Sequence, residues 1–305
     1  MEERRRLFGL GALVLVTILW AWGFLWTKEA LDVAGETFAS SGPESWSVVS
    51  LFLLIRFGIS MLVLPLFVRR CARGLTLEHW RVGAFLAVLL GVGFFTQTQG
   101  LQGINPAVSA FLTSLYVVFT ALLGALFLGH KHRNTLLVGV LFATFGAGFI
   151  SGPPRLNFDL PEWLTVACAF FYAIHILAID RFTRSLDALQ LTFTCLCWLS
   201  LASLLAVLAG IGMGVESSKL QSLALDPAFF LPSLWCALFV TALALAVMNA
   251  WQKEVSPVRA AIVYSLEPVW TVLLMLILGW SGLDAWAVVG GGALLVGNLV
   301  AEIKK

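Results

Sequence analysis

Charge is scarce in this 305-residue chain: Asp, Glu, Lys and Arg make up only 12% of it, against about a quarter in an ordinary soluble domain. With 60% apolar residues and a mean hydropathy of +0.93, that deficit excludes a water-solvated globule. Cysteine is sparse too. Cys71, Cys168, Cys195, Cys197 and Cys236 form no C-x-x-C pair, and four of the five lie in apolar stretches, so neither a disulfide framework nor a zinc site is indicated. No glycine-rich run follows a strand, which removes the phosphate-binding loop. A net charge of +2 gives no case for a nucleic-acid partner, and nothing asks for a cofactor or a metal.

What is present is hydrocarbon-compatible sequence. A spanning helix takes roughly 20 mostly apolar residues, so the apolar content is enough for nine or ten spans with short loops and no soluble catalytic domain. Charged and Pro/Gly-rich breaks divide the chain into ten segments: 8–27, 46–68, 82–100, 106–129, 135–151, 163–180, 188–212, 228–251, 258–279 and 283–301. They are expected to be helices, because a lipid-exposed segment must satisfy its own backbone groups and these are too long for barrel strands. The basic start Arg4, Arg5, Arg6 also fits a signal peptide. The apolar run to Trp26 is longer than a typical leader core, however, and Trp20, Trp22 and Trp26 occupy the place of a small-residue cleavage site.

Ten alternating spans put fifteen Lys and Arg on one side (Arg4, Arg5, Arg6, Arg69, Arg70, Arg73, Arg81, Lys131, Arg133, Arg181, Arg184, Lys253, Arg259, Lys304, Lys305) and three on the other (Lys28, Arg155, Lys219). Both termini are therefore expected in the cytoplasm of a cell (inner) membrane protein. Arg56, the nineteenth, falls inside the second span.

A shift of 151 positions lays residues 105–150 on 256–301 without a gap, with 11 of 46 pairs identical, among them Pro106/Pro257, Ser114/Ser265, Thr120/Thr271, Gly139/Gly290 and Gly146/Gly297. Leu and Val identities count for little between apolar helices, but Pro, Gly, Ser and Thr in register are harder to obtain by chance. The implied architecture is all-α and integral to the membrane: two five-helix repeats, 1–156 and 157–305. Five is odd, so the second copy enters the bilayer inverted, an arrangement recurrent in secondary transporters whose sites lie near midplane.

Trp20-Ala-Trp-Gly-Phe-Leu-Trp-Thr-Lys28, Leu54-Ile-Arg-Phe57, Gln99-Gly-Leu-Gln-Gly-Ile-Asn-Pro-Ala107 and Leu266-Glu-Pro-Val-Trp270, in this order and spacing, resemble the EamA family of the drug/metabolite transporter superfamily. The resemblance implies a proton- or exchange-driven permease, often an exporter of amino acids or other small metabolites. The first half departs from the pattern, with Leu115-Tyr116-Val117 where the second has Glu267-Pro268.

An ionisable side chain far from helix ends is a functional hypothesis by default. Glu267 is the only acidic residue so placed. It either exchanges a proton or binds substrate, or it supports a bend at Pro268. Arg56 either holds an anionic group or a carboxylate such as Glu267, or ties helix-end carbonyls; its helix is not the obvious cavity wall. Thr113, Tyr116 and Thr120 repeat as Tyr264, Glu267 and Thr271 at offsets of zero, three and seven, one face of a continuous helix. Two such polar stripes are expected to face a shared wet cavity. Trp20 and Phe24 share a face of the first span, Tyr172 and His175 one of the sixth, and of Gln97 and Gln99, about 200° apart on a helix, Gln99 is the expected cavity residue. His175 is a candidate proton carrier or a packing residue, while His130 and His132 flank Lys131 in a loop. Gly290, Gly291, Gly292, Gly297, Gly139, Gly146 and Gly148 suggest close helix packing.

The expected function is thus secondary transport of a small organic solute, with a proton as candidate coupling ion, by a monomer or weak homodimer in the bilayer. An integral-membrane enzyme, a channel and a non-transporting membrane protein are the alternatives. Convergent nucleophiles, bases or metal ligands are lacking for the first, and a continuous polar pore for the second. Few cavity charges favour an uncharged, zwitterionic or partly apolar solute, such as an amino acid, over a polyanion.

Overall fold

The computed structural model describes residues 2–127, 158–251, 263–280 and 285–302, with 138, 139, 141, 142, 145, 146 and 149. Most of the fifth expected span, the start of the ninth and the loops holding His130, Lys131, His132, Arg133, Arg155, Lys253 and Arg259 lie outside these. Among the described residues the chain is all-helical: α1 Glu2–Gly35, α2 Gly42–Phe67, α3 Leu77–Leu101, α4 Pro106–Thr113, α5 Tyr116–Phe127, α6 Leu160–Phe182, α7 Ala188–Gly212, α8 Ser217–Leu225 and α9 Pro227–Trp235, continued through a π-helical segment, Cys236–Leu243, into α10 Ala244–Trp251. Then come α11 Glu267–Ile277 and α12 Ala285–Glu302. Seven described segments are long and apolar enough to cross a membrane, and Glu267–Ile277 and Val288–Gly297 are shorter apolar helices. Large apolar side chains stand exposed along α7, including Leu201, Leu204, Leu205 and Leu208. Lipid solvates such a face and water does not.

The sequence writes the helix starts. Asn105 caps α4, its side chain accepting from the Ala107 amide at 2.8 Å, with Pro106 in the first turn where the missing N–H costs nothing. Asp159 and Glu162 form a capping box on α6, which accounts for a buried Glu162. Asp187 and Asp226 cap α7 and α9. Gly279, at φ 71°, ends α11 with the Trp280 amide donating back to the Met275 carbonyl at 2.9 Å.

The fourth expected span is not one continuous helix. It breaks at Ser114-Leu115 between α4 and α5, and Ser265-Leu266 is a second turn, between helical Val263-Tyr264 and α11. The two breaks are 151 positions apart, the same offset as the sequence match. Pro268 therefore begins a helix after a break and does not kink a continuous one: it lies in the first turn of α11, where proline fits.

α3 packs along α6, α2 along α7, and α1 against α9, α10 and α11. Glycines set the closest approaches. A Cβ on Gly146 would meet the backbone of Gly290 and Leu294, and one on Gly291 the Phe111 ring, whereas among the described residues nothing stands within 4 Å of one on Gly292. A Cβ on Gly93 would run into the Tyr172 ring. Gly93→Ala is expected to destabilise the protein by about 1–3 kcal/mol and to displace Tyr172; thermal unfolding in detergent together with Tyr172 solvent accessibility checks it.

Candidate functional site

One cavity lies between the helix ends, with walls from both sides of residue 156. α1 contributes Trp20, Gly23, Phe24 and Thr27, one helical stripe; α2 contributes Arg56; α3 contributes Leu90, Phe94, Gln97, Thr98 and Leu101. Thr113 and Tyr116 flank the first helix break, and Tyr264 and Glu267 the second. Tyr172, His175 and Ile176 of α6, Val240, Leu245 and Met248 close it. It offers about 90 Å³ to water-sized occupants. At roughly 10–15 Å³ per water on that measure, this corresponds to some six to nine waters, or about 180–270 Å³ of liquid, the size of a small metabolite.

Of the eleven expected binding residues, Trp20, Phe24, Thr113, Tyr116, Tyr172, His175, Tyr264 and Glu267 line this space, while Gln99, Thr120 and Thr271 do not. Gln99 donates to Ser45 Oγ at 2.5 Å, which holds it against the start of α2. Gln97 takes its place: its Oε1 accepts from the Tyr172 hydroxyl at 3.2 Å and its Nε2 donates to Thr113 Oγ1 at 3.1 Å, joining α6, α3 and α4. Thr271 turns its hydroxyl onto the Glu267 carbonyl at 3.0 Å, and the Thr120 hydroxyl is buried away from the cavity. The physical reason is depth: the cavity reaches only the first residue of α5, Tyr116, and of α11, Glu267, and Thr120 and Thr271 lie one turn further along those helices.

Arg56 is the second correction, since it is part of the cavity wall. It is 4% exposed. Its Nε donates to Thr241 Oγ1 at 2.6 Å, and its guanidinium carbon stands 4.4 Å from the centre of the Phe94 ring, a cation–π contact. Phe94 is held edge-on by Phe57 and Tyr172, at 5.2 and 5.5 Å. Thr241 reaches Arg56 from the π-helical segment, a distortion frequent at functional sites. Ser60 Oγ stitches that segment to α2 by donating to the carbonyls of Ala237 at 2.8 Å and Arg56 at 2.6 Å.

Glu267 is the first residue of α11 and 5% exposed. Among the described residues its carboxylate has neither a hydrogen bond nor an ion pair, and none links it to Arg56. The Tyr116 hydroxyl nearby is likewise buried without a partner among them. Trp20 lies against Tyr264 with ring centres 5.4 Å apart. The cavity thus holds two buried groups of opposite sign at separate places, aromatic walls between them, and polar atoms still free to bind.

Helices long and apolar enough to cross a membrane, packed around a sparsely charged cavity, are the architecture of a multi-pass membrane protein. Residues 7–152 match the model of the EamA-like transporter family. The chain is similar to an uncharacterized transporter of Archaeoglobus fulgidus, 26% identical over 274 residues, covering 89% of this chain and 78% of that one. It is also similar to the uncharacterized transporter YoaV of Bacillus subtilis, 23% identical over 161 residues, about half (52%) of each chain. A crystal structure superposes with a TM-score of 0.60 at 18% identity over 95% of both chains, which shows a common fold.

Proposed function

We propose that this protein is a secondary transporter that exports a small zwitterionic metabolite, such as an amino acid, across the cell membrane by alternating access between two inverted halves, 1–156 and 157–305. The observation that carries this reading is the cavity's charge pattern. A free amino acid brings one anionic and one cationic group, and the walls offer Arg56 and Glu267 unpaired with each other. A guanidinium whose Nε is already engaged still presents its terminal N–H groups for a carboxylate. Trp20, Phe24, Phe94 and Tyr264 suit an apolar or aromatic side chain between these poles. The matching breaks at Ser114-Leu115 and Ser265-Leu266 support the duplicated plan, and a pseudo-symmetric scaffold can expose one site to either side in turn. A proton is the coupling ion, with Glu267 as the group that exchanges it.

A panel of radiolabelled amino acids, amines and carboxylic acids tested for counterflow in proteoliposomes examines the substrate class. Zwitterions should exchange, whereas single-charge analogues should compete weakly. Exchange of phosphate esters or nucleotide sugars instead would sink the zwitterion reading. For orientation, reporters fused after Arg133 and Arg184 should score cytoplasmic and one after Lys219 external; the swapped pattern would overturn both the orientation and the inverted repeat.

A further inference from the structure

A second, smaller cavity adjoins the first and shares Leu90, His175 and Leu245 with it. It measures about 10 Å³ to water-sized occupants, close to the minimum for one water. Its polar lining is His175 of α6, Thr192 of α7 and Asn249 of α10. Asn249 Nδ2 donates to Thr192 Oγ1, which in turn donates to the Ala188 carbonyl at 2.8 Å. Asn249 Oδ1, on a residue only 8% exposed, has no partner among the described residues. An orphan acceptor in a site of this size, with an imidazole on the same wall, meets the conditions for a bound water.

The position of the small cavity gives that water a task. Thr192 is four residues inside the start of α7, about 6 Å along the helix, at the end where Arg181 and Arg184 lie. His175 is the one residue of the polar trio that also touches the central cavity. We propose that Asn249 and Thr192 hold a water against His175 as a relay, by which protons pass between the central cavity and the side bearing Arg181 and Arg184. The proton arriving on one imidazole nitrogen is matched by release from the other, so His175 returns to its starting form after tautomer exchange. The titratable or charged groups sharing these walls with His175 are Glu267 of α11, Arg56 of α2, Tyr116 of α5, Cys195 of α7, Tyr264 and its own neighbour Tyr172. α3 presents only the uncharged Leu86, Leu90, Phe94, Gln97, Thr98 and Leu101 there.

The relay rests on the proposed proton-coupled transport, and the test separates the two. Asn249→Leu fills the small cavity with methyl groups, and Thr192→Val removes the hydroxyl at constant shape; neither residue lines the central cavity. In proteoliposomes, both variants are expected to keep wild-type counterflow of the substrate and to lose pH-gradient-driven uptake by at least about tenfold. His175→Gln is expected to lose the driven flux as well. Asn249→Asp, which keeps an acceptor for the water, should restore driven uptake relative to Asn249→Leu and so excludes a general packing defect. Undiminished driven uptake in Asn249→Leu and Thr192→Val would overturn the relay while leaving coupled transport standing. Wild-type counterflow without any response to a pH gradient would overturn the coupling and the relay together.

Discussion

Glu267→Gln is expected to abolish uphill transport driven by a pH gradient while leaving solute exchange measurable. Glutamine keeps the size and hydrogen-bonding capacity of the carboxyl but cannot gain or lose a proton, so the variant is frozen in one protonation state. The structure makes this change informative, because among the described residues no other acidic side chain lines the cavity and none neutralises Glu267. Counterflow by the variant should also lose whatever pH dependence the wild type has. Two other outcomes have distinct meanings. If Glu267 only supports the start of α11 beside Pro268, both activities persist, and full gradient-driven uptake would remove it as the coupling residue. If it pairs instead with the ammonium of the substrate, binding and exchange weaken together.

Arg56→Lys should lower affinity for carboxylate-bearing solutes by about tenfold to a hundredfold, the worth of one charge-assisted hydrogen bond of roughly 1.5–3 kcal/mol. The charge survives this substitution, but the geometry does not. The guanidinium engages Thr241 through Nε and lies against Phe94 on a residue that lines the cavity; an ammonium is a point donor and cannot hold these relations and a substrate carboxylate together. Amine analogues without a carboxylate should be affected far less, and titration of both ligand classes by calorimetry in nanodiscs makes the comparison. Equal losses for the two classes would assign Arg56 to packing. Thr241→Val is the companion variant: it leaves the guanidinium in place but unfixed, and should give a smaller loss in the same ligand class.

These two side chains show how much was legible before any coordinates. Charge costs so much in hydrocarbon that scarcity itself pointed to Glu267 and Arg56 among 305 residues. Charged and Pro/Gly-rich breaks placed segment starts at 106, 188 and 228, close to the observed Pro106, Ala188 and Pro227, because an unsatisfied helix end in lipid needs a local remedy. Membrane class and helical content followed from apolar runs alone.

Facing was another matter. A helix that is apolar on every side carries no stripe to say which side meets lipid and which meets protein, so the choice between Gln97 and Gln99 had no local signal. It was decided by what lay opposite: Tyr172 and Thr113 for one, Ser45 for the other. The breaks at Ser114-Leu115 and Ser265-Leu266, and the π-helical segment that brings Thr241 to Arg56, depend on neighbours that satisfy the freed backbone or press on the helix. The sequence by itself determined that this chain lives in a bilayer and which rare polar groups it carries there. Only the tertiary structure decided which of them meet, because in an apolar solvent a polar side chain is directed by the partner it finds across the helix interface.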